Sequence, residues 1–579
     1  KPGCPYPFKS LAGVGVAFKL AHALLGRLPK EFAWLAAIGT IADLMPLVDE
    51  NRLIARMGLA QMRESPSRGI RALCEVSGID CGQLSGGHIG FSIGPRINAG
   101  GRLETADAAV HCLTTDDERE ASETARELDR LNRERQELVD AIAAEALEQA
   151  QALLAKGDPG NVLVLAGEGW NTGVVGIVAS RVVERHYRPA IILSIDRETG
   201  LAKGSARSIP GFDLHAALTE CADLMEQFGG HKAAAGMTLK TENIPLLRRR
   251  MNEIAGAWLG EDDYVPVLRT DAEIRPSDVT VETVRELELL APYGMGNPEP
   301  VFLLAGMRLK GARKMGREMQ HAKLTLKSAD PDETELDALL FGKGELADRI
   351  SPTGAVDLAG TLSVNEWNGM RKAQIIVQDL RVPERQVFDW RGRTLADPAV
   401  VKWLGSGSGE ANDELALCGA LLFRGGDIRL LPDAENVAAS RTAVWLAGED
   451  GSLKPLNGRA ESMPPSLVTH LMLPVLPPSA ATARLALENF PALECLYAVL
   501  LDPHPFLTAA TADREAFKRV YAVLLQWMRE AKPAPGTAAK PGAGETLLSM
   551  PSADARLAKA TGLTMDTIRF ILAVFEQLG

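Results

Sequence analysis

Cysteine is scarce in this chain: seven in 579 residues, at positions 4, 74, 81, 112, 221, 418 and 495. No Cys-x-x-C pair occurs among them, so neither a zinc knuckle nor a disulfide framework is indicated. A reducing compartment, the cytoplasm, is the expectation. No apolar run reaches the roughly 18 residues of a membrane span, so no membrane partner is expected. A signal-peptide pattern is missing too, and the first residue is Lys1 rather than Met, so the chain reads as a fragment of a longer protein. Net positive charge is also lacking: 63 Lys and Arg face 75 Asp and Glu, a balance of −12. That excludes a broadly basic coat and leaves only local clusters for any nucleic-acid contact. There is no G-x-x-x-x-G-K-[ST] loop for ATP hydrolysis. Gly13-Val14-Gly15 lacks the third glycine of a dinucleotide fingerprint and reads as a helix start.

The length predicts about four domains. Residues 11–60 read as helix, short apolar segment, helix. Ala36–Asp43 is strand-like and ends on an aspartate. From 116 to 157 the chain is rich in Glu, Arg, Ala and Leu, with Leu128, Leu131, Leu138, Ile142 and Ala146 at helical spacing. One long helix is expected, with its two sides in different domains. Val162–Ala166, a helix over Val174–Arg185 and Ala190–Leu193 form a βαβ pattern. A helix over Asp213–Phe228 and a strand at Met237–Leu239 follow. Residues 265–385 change to short strands and glycine turns, as in a small β-barrel or sandwich. Residues 386–530 are mixed and carry no readable motif. Lys532–Glu545 is a Pro/Ala/Gly linker. Two tail helices, Ala553–Ala560 and Thr564–Leu578, fit a winged-helix module or a plain helical hairpin.

Five local patterns could carry chemistry. Gly229-Gly230-His231 precedes an alanine run; it fits a tight turn, or a helix start whose free N–H groups and dipole hold a phosphate beside the imidazole. Asp43 offers a hard oxygen ligand for Mn²⁺ or Mg²⁺, or a helix N-cap. Gly94–Leu103 packs Arg96, Asn98 and Arg102 among glycines, as a phosphate-binding loop or a structural connector. Ser205 and Arg207, two apart on an expected strand, share a face that could hold a phosphate or 5′ end, unless the strand is a solvent edge. Arg308, Lys310, Arg313, Lys314, Arg317, Lys323 and Lys327 gather against the single acid Glu318, as a strand-guiding patch or a solvated hairpin face. The isolated His88, His111, His186, His215 and His321 are read as structural.

In chain order these segments resemble the RecJ-type single-stranded-DNA exonucleases of the DHH phosphoesterase superfamily over residues 1–385. Gly39-Thr40-Ile41-Ala42-Asp43 is similar to the family's G-T-x-A-D segment. Pro95–Arg102 is similar to its R-[IL]-N-A-x-G-R loop, and Leu131–Gln136 sits on a helix like the one joining the catalytic lobes. Gly204–Ser208 and Gly229–Gly236 resemble substrate-facing segments of the DHH-associated domain. Pro292–Pro300 and Asn365–Gly369 resemble signatures bracketing the OB-fold. Two departures stand out. Asn171 follows Trp170 where the family has histidine, and no D-x-D-G or D-H-H segment occurs.

The resemblance implies an α/β fold: a two-lobed DHH and DHH-associated core joined by a long helix, an OB-fold barrel, then a mixed α/β region with a helical tail. The expected boundaries are 1–115, 116–157, 158–262, 263–385, 386–531, 532–545 and 546–579. It implies 5′→3′ hydrolysis of single-stranded DNA to mononucleotides with two Mn²⁺ or Mg²⁺ ions, in repair and recombination. Asp43 would bind metal. Arg96, Asn98 and Arg102 would orient the strand and its scissile phosphate. Ser205, Arg207, Gly229, Gly230 and His231 would hold phosphate. Arg313 and Lys314 would guide the strand, with Trp367 either a stacking platform or a core residue. A single-stranded-DNA-binding protein and a helicase would be partners. With one metal ligand the chain is expected to be weak or inactive alone. The alternatives are a nuclease-dead nucleic-acid-binding scaffold and a DHH phosphodiesterase of small oligonucleotides.

Overall fold

A computed structural model describes residues 3–328, 334–351, 354–390, 397, 418–423, 442–475, 477, 479–502, 514–530, 553–563, 567–568 and 571–572. The chain divides into two compact units. One holds Lys1–Ile274, Asp278–Leu303 and Thr361–Ala373; the other holds Arg275–Ser277, Leu304–Gly360 and Gln374–Gly579.

The first unit opens with helices α1 (Gly13–Leu25), α2 (Ala33–Ala42), α3 (Asp49–Glu64) and α4 (Arg68–Ser77). The expected strand at Ala36–Asp43 is therefore helix. Alanine is the best helix former, and Ala33, Ala36, Ala37 and Ile41 recur at helical spacing and are buried. Small residues also let α2 lie close on α3, where a Cβ on Gly58 would stand 2.5 Å from the Ala33 carbonyl oxygen. After a short turn α5 (Gly86–His88) and a π-helical turn over Ile89–Ile93 come α6 (Gly94–Leu103) and α7 (Asp107–Thr114). Gly94–Leu103 was expected as a loop. Its glycines serve close packing rather than loop freedom: a Cβ on Gly94 would meet the Ile89 carbonyl at 2.8 Å, and one on Gly100 the Thr105 carbonyl at 2.6 Å.

The expected long helix is α8 (Glu118–Ala155), 38 residues and about 57 Å at 1.5 Å per residue. Asp117 caps it by accepting from the N–H groups of Arg119 and Glu120. Ala121, Ala125 and Leu128 enter the core of the helical region. Val139, Ile142, Ala143, Ala146 and Ala150 enter the core of the following domain. One helix thus bridges two cores, which fixes the geometry of whatever lies between them.

That domain is a five-stranded sheet in the order β1-β2-β3-β5-β4. β1 (Leu163–Glu168), α9 (Val175–His186) and β2 (Ala190–Asp196) form the βαβ unit, with β1 and β2 parallel. β3 (Leu201–Arg207), β4 (Met225–Gly230) and β5 (Ala234–Lys240) complete it antiparallel. The helix expected over Asp213–Phe228 is only α10 (Leu214–Glu220), because Met225–Gly230 pairs with β5 instead. α11 (Ile244–Trp258) packs on this sheet, and α12 (Val281–Glu288) follows it in the same unit.

In the barrel region, β6 (Ala272–Glu273), β7 (Phe302–Met315), β8 (His321–Lys327), β9 (Glu335–Leu340), β10 (Ala355–Trp367) and β11 (Met370–Arg381) run in the order β10-β11-β9-β8-β7-β6. An added β10–β7 pairing closes the strands into a barrel. The last sheet is β12 (Gln386–Asp389), β17 (Cys495–Asp502), β16 (His470–Val475), β13 (Cys418–Phe423), β14 (Ala443–Ala447) and β15 (Leu453–Pro455), in that spatial order. It is parallel except for β15. The fully buried run of β13 is what a strand covered on both faces requires. The first tail helix is present at Ala553–Thr561. The linker 532–545 and most of Thr564–Leu578 lie outside the described residues.

Candidate nucleic-acid interface

Arginines from three separate elements of the first unit meet where α6, α8 and the five-stranded domain adjoin. Arg102, in the last turn of α6, donates from Nη1 to the Gly173 carbonyl at 3.0 Å. The approach is tight enough that a Cβ on Gly173 would stand 2.3 Å from the Arg102 carbonyl oxygen. Asn171, at the family's histidine position, accepts from the Gly173 N–H at 2.8 Å and so shapes this turn. Arg135, on α8, donates to Asn132 Oδ1 at 2.9 Å, while its Nε is buried with no partner. Burial, reinforced by Arg102 and Arg181, pulls the Arg135 pKa below its ordinary value. Burial, reinforced by Arg102, does the same to Arg207.

Ser205 and Arg207 lie side by side on β3, and Arg207 Nη1 donates to Ser205 Oγ at 3.0 Å. The strand is interior, between β2 and β5, not a solvent edge. Gly176 opens the space above them: a Cβ there would come within 3.2 Å of both Arg207 Nη2 and Ser205 Oγ. Among the described residues none of Arg102, Arg135 and Arg207 has a carboxylate within ion-pair distance. Arg102 repels both Arg135 and Arg207, offset at Arg135 only by Asp140, which already pairs with Arg181, and each of the three guanidiniums can fork onto phosphate oxygens. Arg135 was missed in the sequence because it sits in a Glu/Arg-rich helix where every charge resembles a solvated one. Its partner Asn132, a buried amide on a helix face, was the available signal.

The other predicted site residues are placed differently. Arg96 is committed elsewhere, with Nε 3.0 Å from Asp129 Oδ1 and Nη1 2.9 Å from the Ser92 carbonyl. Its side chain is 16% exposed and that of Asp129 7%. Arg133 also pairs with Asp129. Arg96 thus ties α6 to α8. Asn98 is exposed on α6. Asp43 is exposed just past the last turn of α2, its N–H bonded to the Gly39 carbonyl at 3.0 Å. It is neither at a strand end nor an N-cap. A carboxylate at the negative end of a helix dipole favours a nearby cation. It stands by itself, however: among the described residues no group of three His, Cys, Asp or Glu is placed to hold a metal.

Gly229, Gly230 and His231 do not open a helix. Gly229 and Gly230 end β4, opposite Gly236 and Ala235 of β5, and His231 begins the turn that follows, its N–H on the Ala234 carbonyl at 2.8 Å. The alanine run prefers helix, but Ala234 and Ala235 pair with Arg207 and Ala206 of β3, and pairing prevails. No helix dipole stands behind His231. Gly230 has φ +152°, and a Cβ there would lie 2.4 Å from the Ala234 carbonyl.

In the barrel, the basic cluster is less charged than its sequence. Lys310 pairs with Glu335, Lys314 with Asp348 at 2.5 Å and Lys323 with Asp337 at 3.1 Å. Glu318 is therefore not the only acid; the fold brings three others from distant segments. Arg313 is exposed and has no ion-pair partner among the described residues. Trp367 is 70% exposed beside the Asn368-Gly369 turn, so it is not a core residue.

These features define an α/β protein in which a long helix joins a helical region to a mixed five-stranded domain, with a β-barrel following in the chain. The DHHA1 domain model matches residues 159–257 and the RecJ OB domain model residues 270–379. The single-stranded-DNA-specific exonuclease RecJ of Bacillus subtilis is 41% identical over 584 residues, covering 100% of this chain and 68% of that protein. RecJ of Thermus thermophilus is 38% identical over 377 residues, 64% of this chain and 52% of that protein. The crystal structure of T. thermophilus RecJ in complex with Mg²⁺ aligns with a TM-score of 0.56 at 28% identity, covering 99% of this chain and 77% of that one. A Mn²⁺ complex of the same protein aligns equally well. The chain belongs to the RecJ family of single-stranded-DNA-specific exonucleases.

Proposed function

We propose that this chain grips single-stranded DNA by its backbone at Arg102, Arg135 and Arg207, as the strand-holding part of a 5′→3′ exonuclease of DNA repair and recombination that releases mononucleotides. The carrying observation is the unpaired arginine group beside Ser205. Charge-assisted N–H···O bonds there would orient a phosphate and stabilise charge that develops on it. Asn98 and His231, both exposed, would bond neighbouring backbone atoms, and Gly229 and Gly230 would let the strand approach the turn. Arg96 acts as a positioning residue through Asp129. In the barrel, Arg313 would guide the strand while Lys314, already paired, contributes less.

RecJ structures hold Mg²⁺ or Mn²⁺. Asp43 is a suitable oxygen ligand for either, but the described residues do not make up a site for two ions. With one such ligand, hydrolysis by the chain alone is expected to be weak or absent. A single-stranded-DNA-binding protein and a helicase are the partners such an activity calls for. No described helix is long and apolar enough to cross a membrane. The free cysteines suit a reducing compartment such as the cytoplasm. The test is a binding comparison of 5′-phosphorylated and 5′-hydroxyl oligo-dT. Weaker binding of both strands by Arg207→Met supports the reading, and a preference for the phosphorylated strand that the same variant loses places the grip at the 5′ end; oligo-dT affinity unchanged in Arg207→Met contradicts it. In parallel, 5′-end degradation in Mn²⁺ that Asp43→Ala abolishes would overturn the expectation of weak hydrolysis.

A further inference from the structure

A cleft of about 650 Å³ lies in the first unit, away from the residues assigned above. That volume is in the range of small-molecule sites. Its lining includes Arg56 and Arg63 of α3, Phe91, and Glu288, Tyr293 and Glu299 from the segment before the barrel. Arg56 and Arg63 are seven residues apart, two helical turns, and so share one face of α3. Among the described residues Arg63 spends only its Nε, on the Leu84 carbonyl at 2.5 Å.

Opposite charges line this cleft without pairing with each other. Among the described residues Arg56, Glu288 and Glu299 have no ion-pair or side-chain hydrogen-bond partner. Tyr293 donates its hydroxyl to the Leu287 carbonyl, which holds the ring in place. Phe91 projects from the π-helical turn Ile89–Ile93 and is 88% exposed, the most exposed large apolar side chain described. Single π-turns are often found where a side chain is presented for function. The cleft therefore combines aromatic faces, free guanidiniums and free carboxylates.

We propose that this cleft binds a guanine base with its attached phosphate. Guanine places two adjacent N–H donors, N1–H and N2–H, on its Watson–Crick edge, and a carboxylate accepts both. Its O6 and N7 acceptors, or the phosphate, suit an arginine fork. Adenine and thymine offer no such double donor, and Phe91 and Tyr293 supply faces for the ring. Surroundings that desolvate Glu299 hold its carboxyl above the ordinary value, so donors that bond the carboxylate would be strongly felt. The guanine could be a free mononucleotide or a residue within a strand.

The test is calorimetry on the full chain carrying Arg207→Met, which removes one guanidinium of the other, phosphate-binding site and weakens competing binding there. The titrants are dGMP, dTMP, inorganic phosphate, and oligo-dT with and without one internal guanine. Binding of dGMP at least about tenfold tighter than dTMP and phosphate, lost with Glu299→Gln and weakened with Phe91→Ala, supports a free-nucleotide site; about tenfold is 1.4 kcal/mol. Preference only for the guanine-containing strand, with the same mutational pattern, supports a strand subsite. Equal binding of dGMP and phosphate, no binding of any guanine ligand, or retention of the preference in both variants overturns the proposal. Thermal melts of each variant confirm that it is folded.

Discussion

Two basic regions of this protein invert what their sequences suggest. The barrel carries seven cations between Arg308 and Lys327, yet Lys310, Lys314 and Lys323 are each matched by an acid from another strand or loop. The arginine group of the first unit draws on positions 102, 135 and 207, over a hundred residues apart in all, and has no carboxylate partner among the described residues. Density of charge along a chain is thus a poor measure of free charge in space. What matters is whether the fold brings acids along; the exposed Lys310–Glu335 pair is screened and cheap to rearrange, whereas Lys323–Asp337 is largely buried.

The comparison can be sharpened by substitution. The largest effect is expected at Asp129, which holds Arg96 in a nearly buried pair. Asp129→Ala leaves that guanidinium uncompensated and should lower unfolding free energy by about 3 kcal/mol or more in urea titration. A loss under 1 kcal/mol would mean that Arg96 is free to serve the strand after all. Next in size, Gly173→Ala drives a methyl into the Arg102 carbonyl. It should cost about 1–3 kcal/mol and weaken strand binding together with stability. In the barrel, Arg313→Met should weaken oligo-dT binding a few-fold, roughly the worth of one exposed phosphate contact. Lys314→Met should change it less, because Asp348 already holds that lysine. Equal effects of the two would remove the distinction between free and paired cations. Smallest of all, Trp367→Ala should leave stability within about 0.5 kcal/mol, since the side chain is exposed.

Much of the architecture was legible. The long helix announced itself through Leu128, Leu131, Ile142 and Ala146, all of which are buried. The βαβ unit and the pairing of Ser205 with Arg207 on one strand face followed from alternation and period two. Three of the errors share a cause. Ala36–Asp43, Gly94–Leu103 and Gly229–Gly236 are built from alanine and glycine, which carry little side-chain pattern, so tertiary contacts decide their conformation. Alanine became helix where α2 packs on α3 and strand where β5 pairs with β3. Glycine marked close packing in α6 and a real turn only at Gly230. At the site, Arg102, Ser205 and Arg207 could be found because they stand among small residues. Arg135 could not, because its neighbours Arg133 and Glu134 resemble it and only the fold separates the exposed from the half-buried.

The central claim is that Arg102, Arg135 and Arg207 act as one phosphate-binding group. Its most direct test is the salt dependence of oligo-dT affinity in the wild type and in the Arg102→Met/Arg135→Met/Arg207→Met variant. Three guanidiniums on one phosphate are one contact, so the slope of log K against log salt should fall by about 0.7 in the variant. An unchanged slope in a folded variant would contradict the account.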